Sequence, residues 1–173
     1  MKQLEIVFPA FKEGDWIPVE YTARGMDISP EIHLAEVNER AISIAITLDD
    51  VSHPFFKNYN HWLIWNLPIL AIIPKAIPKG EPTGSLFGAK QGLGYGRHCY
   101  KGPKPPFKMI HYYTFTVFIL DTKLVLPTKS TREDFFRAGE GHILQRAAYT
   151  GKFQSRRKQP ETVAGGQFNF TTK

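Results

Sequence analysis

The sequence predicts a mainly β protein, a β-sandwich with short helices appended near the C-terminus, and three observations carry this. Short runs of β-branched and aromatic residues recur through the first 120 positions, long proline-bearing connections separate them, and a helix-start signature is met only after residue 129. The 173 residues fit one domain, 1–173. A chain of this length buries roughly 70% of the surface its unfolded form exposes, enough for a core without staples.

In chain order, residues 3–8 (QLEIVF), 16–21 (WIPVEY) and 41–48 (AISIAITL) read as strands bounded by Gly, Asp, Asn and Pro. In the third, Ile42, Ile44 and Ile46 alternate with Ser43, Ala45 and Thr47, the period of a strand with one face in a core. Residues 61–67 (HWLIWNL) and 112–120 (YYTFTVFIL) are more densely apolar and read as central strands covered on both faces. Residues 68–110 hold seven of the thirteen prolines and seven of the fourteen glycines, so neither ladder nor helix is expected to continue through them. Phe87, Leu93, Tyr95, Tyr100 and Phe107 punctuate that span as anchors, which favours a functional loop. Ser130 followed by Glu133 fits a capping box, with Asp134 adding charge to the first helical turn. HILQRAAYT (142–150) reads as two further helical turns with Gly151 just past their end. Residues 153–173 form a polar tail or a returning edge strand, and both readings stand.

A composition 42% apolar and 22% charged excludes a disordered chain, and no run approaches the ~20 apolar residues of a membrane span. Cys99 is the single cysteine, so no internal disulfide or thiolate zinc site is expected and a reducing, cytoplasmic setting fits. Glu5, Pro9 and Glu13 interrupt the N-terminus where an export signal needs an apolar stretch. Charge is asymmetric. Residues 1–50 carry four basic against ten acidic side chains, residues 51–173 eighteen against six. The later part therefore faces anions, with seven basic residues and only Glu81 between Lys75 and Lys108.

Two segments concentrate binding groups. The first is Asp49-Asp50-Val51-Ser52-His53-Pro54 with His61-Trp62 and Asn66-Leu67-Pro68. Its acidic pair sits at a strand end, either as turn caps or as pocket side chains. The second is Cys99-Tyr100-Lys101-Gly102-Pro103-Lys104-Pro105-Pro106, followed by His111-Tyr112-Tyr113-Thr114-Phe115. A Gly-Pro-x-Pro-Pro run before a histidine makes either a rigid spanning loop or an anion nest with an imidazole donor.

These stretches together resemble the phosphatidylethanolamine-binding proteins, also called Raf kinase inhibitor-like proteins, in their short bacterial branch. The likeness covers roughly residues 41–152. Val51 and Ser52 stand where the family usually has Pro and a second Asp, and Cys99 where it has Gly. The resemblance implies two antiparallel sheets in a Greek-key sandwich, with both segments meeting around a small anion pocket. It assigns ligand binding to Asp50, His61, Gly102, His111 and Tyr113, with Pro54, Trp62, Tyr100 and Pro103 as supporting pocket residues. In this reading the imidazoles and the tyrosine donate to phosphate oxygens, backbone N–H groups near Gly102 add to them, and Asp50 orients His61.

The expected function is thus non-enzymatic binding of phosphate, a small phosphorylated anion or a phospholipid head group, without a cofactor or metal. A phosphoprotein partner and a kinase-inhibitor-like role follow from the same resemblance. The alternative is a hydrolase using Asp50, His61 and His111 as a metal site, or an Asp-His pair as general base. Neither segment brings a Ser or Cys nucleophile. Nucleic-acid binding lacks a motif, and Arg156-Arg157-Lys158 reads as a solvated cluster. No amphipathic basic helix suggests stable membrane insertion. The apolar run Ile69–Ile73, with Ile77, Leu86 and Phe87, marks either a homodimer interface or a loop folded back over a sheet edge.

Overall fold

The computed structural model describes residues 3–80 and 88–156; Glu81, Leu86, Phe87, Arg157, Lys158 and the rest of the 153–173 tail beyond residue 156 lie outside them. The strands are β1 (Glu5–Val7), β2 (Ile32–Ala35), β3 (Ser43–Asp50), β4 (Tyr59–Leu67), β5 (Ile72–Ile73), β6 (Lys90–Gln91), β7 (His111–Leu120) and β8 (Ile143–Phe153). A single described helix, α1 (Arg132–Ala138), lies between β7 and β8. Three strands form one sheet, in the order β1-β2-β5, and five form the other, β6-β4-β3-β7-β8, every pairing antiparallel. Apolar side chains of both sheets interdigitate in one core that holds Ile32, Leu34 and Ile73 against Ile44, Ile46, Leu48, Trp62 and Ile64. This is the expected sandwich.

The larger sheet is covered on its other face too. Phe135, Phe136 and Ala138 of α1, with Leu124 and Leu126, pack on Ala45, Leu63, Trp65, Phe118 and Leu120. All eight residues of β3 are therefore buried, where alternation predicted one core face. The second face tolerates this because its residues are small or satisfied. Ala45 is apolar, the Ser43 hydroxyl donates to the Thr122 carbonyl, and Thr47 Oγ1 donates to Asp49 Oδ2 at 3.1 Å.

Three local expectations change. Residues 16–21 do not form a strand: Trp16 makes one bridge to Lys152, and Pro18, with no N–H to give a ladder, opens a 3-10 turn at Val19–Tyr21. The helix is capped one residue later than expected, by Thr131 and Asp134 instead of Ser130 and Glu133, since Thr131 and Asp134 exchange the two hydrogen bonds of the box. Residues 143–153 are a strand, not helical turns. There Ala147, Tyr149 and Phe153 pack inward at period 2, and pairing along the whole of β7 outweighs the local helical preference of Gln145–Ala148. Gly151 is a packing residue: a Cβ there would sit 2.5 Å from Ile17 Cγ1 and 2.7 Å from the Phe11 ring.

Among the described residues, the proline-rich span contributes β5 and β6, two residues each. Ile73 and Ile77 fold back into the core, whereas Ile69 and Ile72 stay exposed. At the far end of β4, Asn66 takes a left-handed conformation (φ 61°), donates Nδ2 to the Leu124 carbonyl at 2.9 Å and accepts the Leu124 N–H at 2.8 Å. Asn tolerates that conformation and satisfies both backbone groups of a buried residue. Asn66→Ala is expected to cost about 2–3 kcal/mol by leaving those groups unpaired; a denaturation midpoint within error of wild type would contradict this.

Candidate functional site

A cleft of about 190 Å³ opens at the end of the sandwich where β3 finishes and β4 and β7 begin. It is small beside the about 300–1,000 Å³ of sites for drug-sized ligands. Asp50, His61, Gly102, His111 and Tyr113, all five residues assigned from sequence, line it. The strand register explains the convergence. Asp50 pairs directly with Tyr113 across β3 and β7, His111 lies two residues before Tyr113 on the same face, and β4 brings His61 alongside.

The hydrogen bonds differ from expectation in one decisive way. Asp50 orients His111, not His61: His111 Nδ1 donates to Asp50 Oδ2 at 2.7 Å, and both side chains are buried. Asp50 Oδ1 accepts the Ser52 N–H at 2.9 Å. His61 Nδ1 donates instead to the Lys101 carbonyl at 2.9 Å, and because a carbonyl can only accept, this fixes the proton on Nδ1. His111 Nε2 is buried with no partner among the described residues. Burial holds the His61 pKa below the ordinary histidine range, against the pull of the Lys101 carbonyl and of Asp50 and Asp49. Burial, aided by the Asp50 charge, raises the Tyr113 phenol well above the usual tyrosine range, so it stays an O–H donor.

Asp49, one residue from Asp50, points to the opposite face. It meets Arg132 Nε at 3.1 Å and Asn60 Nδ2 at 2.9 Å, which ties α1 to the sheet and keeps Asp49 out of the cleft. Ser52, where the family motif has an acid, accepts the Tyr112 N–H at 2.9 Å and so pins the β3–β4 loop to β7.

Gly102 lines the cleft, but its N–H is not offered to a ligand. It donates to Asp27 Oδ1 at 2.7 Å, and Asp27 Oδ2 holds Lys101 Nζ at 2.7 Å. The four supporting residues do not line the cleft. Tyr100 is in the core with its hydroxyl on the Tyr21 carbonyl, Trp62 donates Nε1 to Gln91 Oε1, the Pro103 carbonyl accepts the Ala23 N–H, and Pro54 is exposed on its loop. The walls sequence reasoning missed are His53, Phe56, Tyr59, Tyr95, Lys101 and Lys104. Tyr59 stacks on His53 (4.7 Å between centroids) and meets Tyr95 edge-on (5.4 Å). His53, Lys101 and Lys104 lay inside the quoted motifs, so proximity to them was an available signal. Asp27 had none: no motif surrounds it, and its role depends on a fold-back of 75 residues.

The described residues hold no group of three His, Cys, Asp or Glu side chains placed to share a metal ion. The Asp50–His61–His111 set is not among such groups; Asp50 is bonded to His111 instead.

Two packed antiparallel sheets with a carboxylate-backed histidine cleft at one end define a class of β-sandwich proteins. The chain belongs to the phosphatidylethanolamine-binding protein family, whose family model matches residues 8–154. A UPF0098 protein of Pyrococcus abyssi is 36% identical over 150 residues, covering 86% of this chain and 84% of that protein. One of Aquifex aeolicus is 34% identical over 159 residues, covering 87% and 88%. Among solved structures, the phosphatidylethanolamine-binding protein homolog CT736 of Chlamydia trachomatis superposes with a TM-score of 0.76 at 27% identity, over 88% of this chain and 97% of that one. Escherichia coli YbcL does so at 0.78 and 22%, over 88% and 99%, a likeness of fold.

A Cβ on Gly102 would lie 2.3 Å from the Tyr21 carbonyl oxygen, which is backbone and cannot step aside cheaply. Gly102→Ala is therefore expected to destabilise the fold by about 1–3 kcal/mol. Unchanged stability with a purely ligand-binding defect would return Gly102 to the ligand-contact role.

Proposed function

We propose that this protein is a non-enzymatic binding protein whose cleft receives the phosphate group of a small phosphorylated anion. The observation that supports this most is His111: its Nδ1 is anchored on a buried carboxylate while its Nε2, also buried, has no protein partner among the described residues. Asp50 fixes the orientation of that ring and leaves Nε2 as its one position open to a ligand in the cleft. The Tyr113 hydroxyl is held between Asp50 and the Lys104 backbone at the cleft wall, and exposed Lys104 at the mouth supplies positive charge. A phospholipid head group, a free phosphate ester and a phosphorylated side chain of a partner protein all present such a group. The kinase-inhibitor-like role belongs to the last. No described helix is long and apolar enough to cross a membrane.

A carboxylate–imidazole pair is also how a general base is oriented, which is the observation that favours the hydrolase reading. Against it, no Ser, Thr or Cys among the described residues lines the cleft. His61→Ala and His111→Ala are each expected to weaken inorganic phosphate binding by about 1.5–3 kcal/mol in titration calorimetry. Undiminished affinity in both would refute the pocket. In the same samples p-nitrophenyl phosphate should release no nitrophenol; turnover that disappears in His111→Ala would establish the hydrolase instead.

We also propose a homodimer through the β5 edge, where Ile69 and Ile72 stay exposed after Ile73 and Ile77 have folded inward. Apolar side chains beside an open sheet edge suit a two-fold contact. Light scattering at micromolar concentration should give twice the chain mass; a monomer mass that does not rise on concentration rejects the dimer. The single Cys99, free and half-buried, suits a reducing cytoplasmic setting.

A further inference from the structure

The cleft's two imidazoles are not equivalent, and the difference constrains what they can hold. His111 is bonded to a carboxylate, Asp50, the one carboxylate among the described residues that line the cleft, whereas His61 is held by a neutral carbonyl. The Lys101 carbonyl fixes the His61 proton on Nδ1, and burial opposes a second proton. His61 therefore turns an Nε2 lone pair, an acceptor, toward the cavity. An anion that is all acceptor would set oxygen lone pairs against it.

We infer that the cleft selects oxyanions that still carry a proton: inorganic phosphate or a phosphate monoester with one P–OH, in preference to sulfate and to phosphodiesters. This rests on the anion-binding reading above. The P–OH donates to His61 Nε2 while the charged oxygens are left to the open Nε2 position of His111 and to Lys104 at the mouth. Sulfate, fully ionised near neutral pH, and a phosphodiester, with two of its three acidic oxygens esterified and the third ionised, bring no donor. The consequence separates two sources of the same chemistry: a free phosphate monoester fits in the monoanion that keeps one P–OH, and the diester of an intact phospholipid head group, which has none, does not.

The groups facing His61 are Asp50 from β3, His53 and Tyr59 from the β3–β4 turn and the start of β4, and Tyr113 from β7. From the proline-rich span come Tyr95 and the Lys101 backbone, with Lys104 at the mouth. Neither His53 nor His111 makes the bond assigned to His61 Nε2. As pH falls and His61 gains its second proton, Nε2 becomes a donor and the preference against sulfate shrinks.

Calorimetric titration with inorganic phosphate, sulfate and dimethyl phosphate near pH 7.5 is the test. Phosphate should bind at least about tenfold tighter than either other anion, the scale of one satisfied against one unsatisfied buried hydrogen bond. In His61→Ala the ratio should collapse towards one. In His111→Ala all affinities should fall with the ratio kept. Should His61→Ala not fold, His61→Gln, whose amide can turn either N–H or oxygen inward, should relax the ratio likewise. Equal affinities for the three anions in the wild type would overturn the inference while leaving the anion site intact. Binding of none of them would overturn the anion reading itself, and the inference with it.

Discussion

The antiparallel register of β3 against β7 is the constraint on which the rest of the site depends. It sets Asp50 opposite Tyr113 and two positions from His111, so a carboxylate, an imidazole and a phenol from sequence positions about sixty apart share one face at one strand end. A shift of one residue would turn that face over and present Asp49 in place of Asp50. The register is held by the apolar face of the same strands, since Ile44, Ile46 and Leu48 must lie in the inter-sheet core beside Val117 and Phe115. Core packing thus positions the chemistry without touching a ligand.

The neighbouring carboxylate shows the same logic from behind. Asp49 would be an uncompensated buried charge under α1 if Arg132, Asn60 and Thr47 did not meet it. Arg132 also lies over the Phe136 ring, 4.6 Å from its centroid, so one side chain ties helix, sheet and charge together. The back of the site strand is fixed by ionic and aromatic contacts, the front is left open, and the two faces differ by a single residue of sequence.

This division also explains what could be read beforehand. The sandwich and the central position of 61–67 and 112–120 were legible as short-range apolar patterns, whereas the five cleft residues came from the family resemblance carried by the His-Trp start and the Gly-Pro run entering a histidine strand. Two things were not. The 142–150 segment carries two alanines and few β-branched residues, and only long-range pairing with β7 decides it as strand. The hydrogen-bond partners inside the cleft were equally hidden. Asp50 and His61 are neighbours by motif, yet the carboxylate belongs to His111, because the β3–β7 register brings that ring to it while the 100–103 loop reaches over to claim His61.

That loop is itself held from a distance, and its anchoring governs the character of the site. Asp27 takes both the Gly102 N–H and the Lys101 ammonium, Tyr100 reaches the Tyr21 carbonyl, and Pro103 accepts from Ala23. Two donors that an anion would otherwise find at the cleft wall are thereby spent inside the protein, and the Lys101 carbonyl is presented inward instead. With Ser52 where the family motif has a second acid, the cleft keeps one carboxylate, and that carboxylate is committed to His111. What remains facing the cavity is a carboxylate-backed imidazole, a neutral imidazole and a phenol that stays protonated. For the anion proposed above, recognition rests on where protons sit among these ring groups more than on net charge, and the acidic N-terminal third of the chain shapes the site through Asp50 in the cleft and through Asp27 behind its wall.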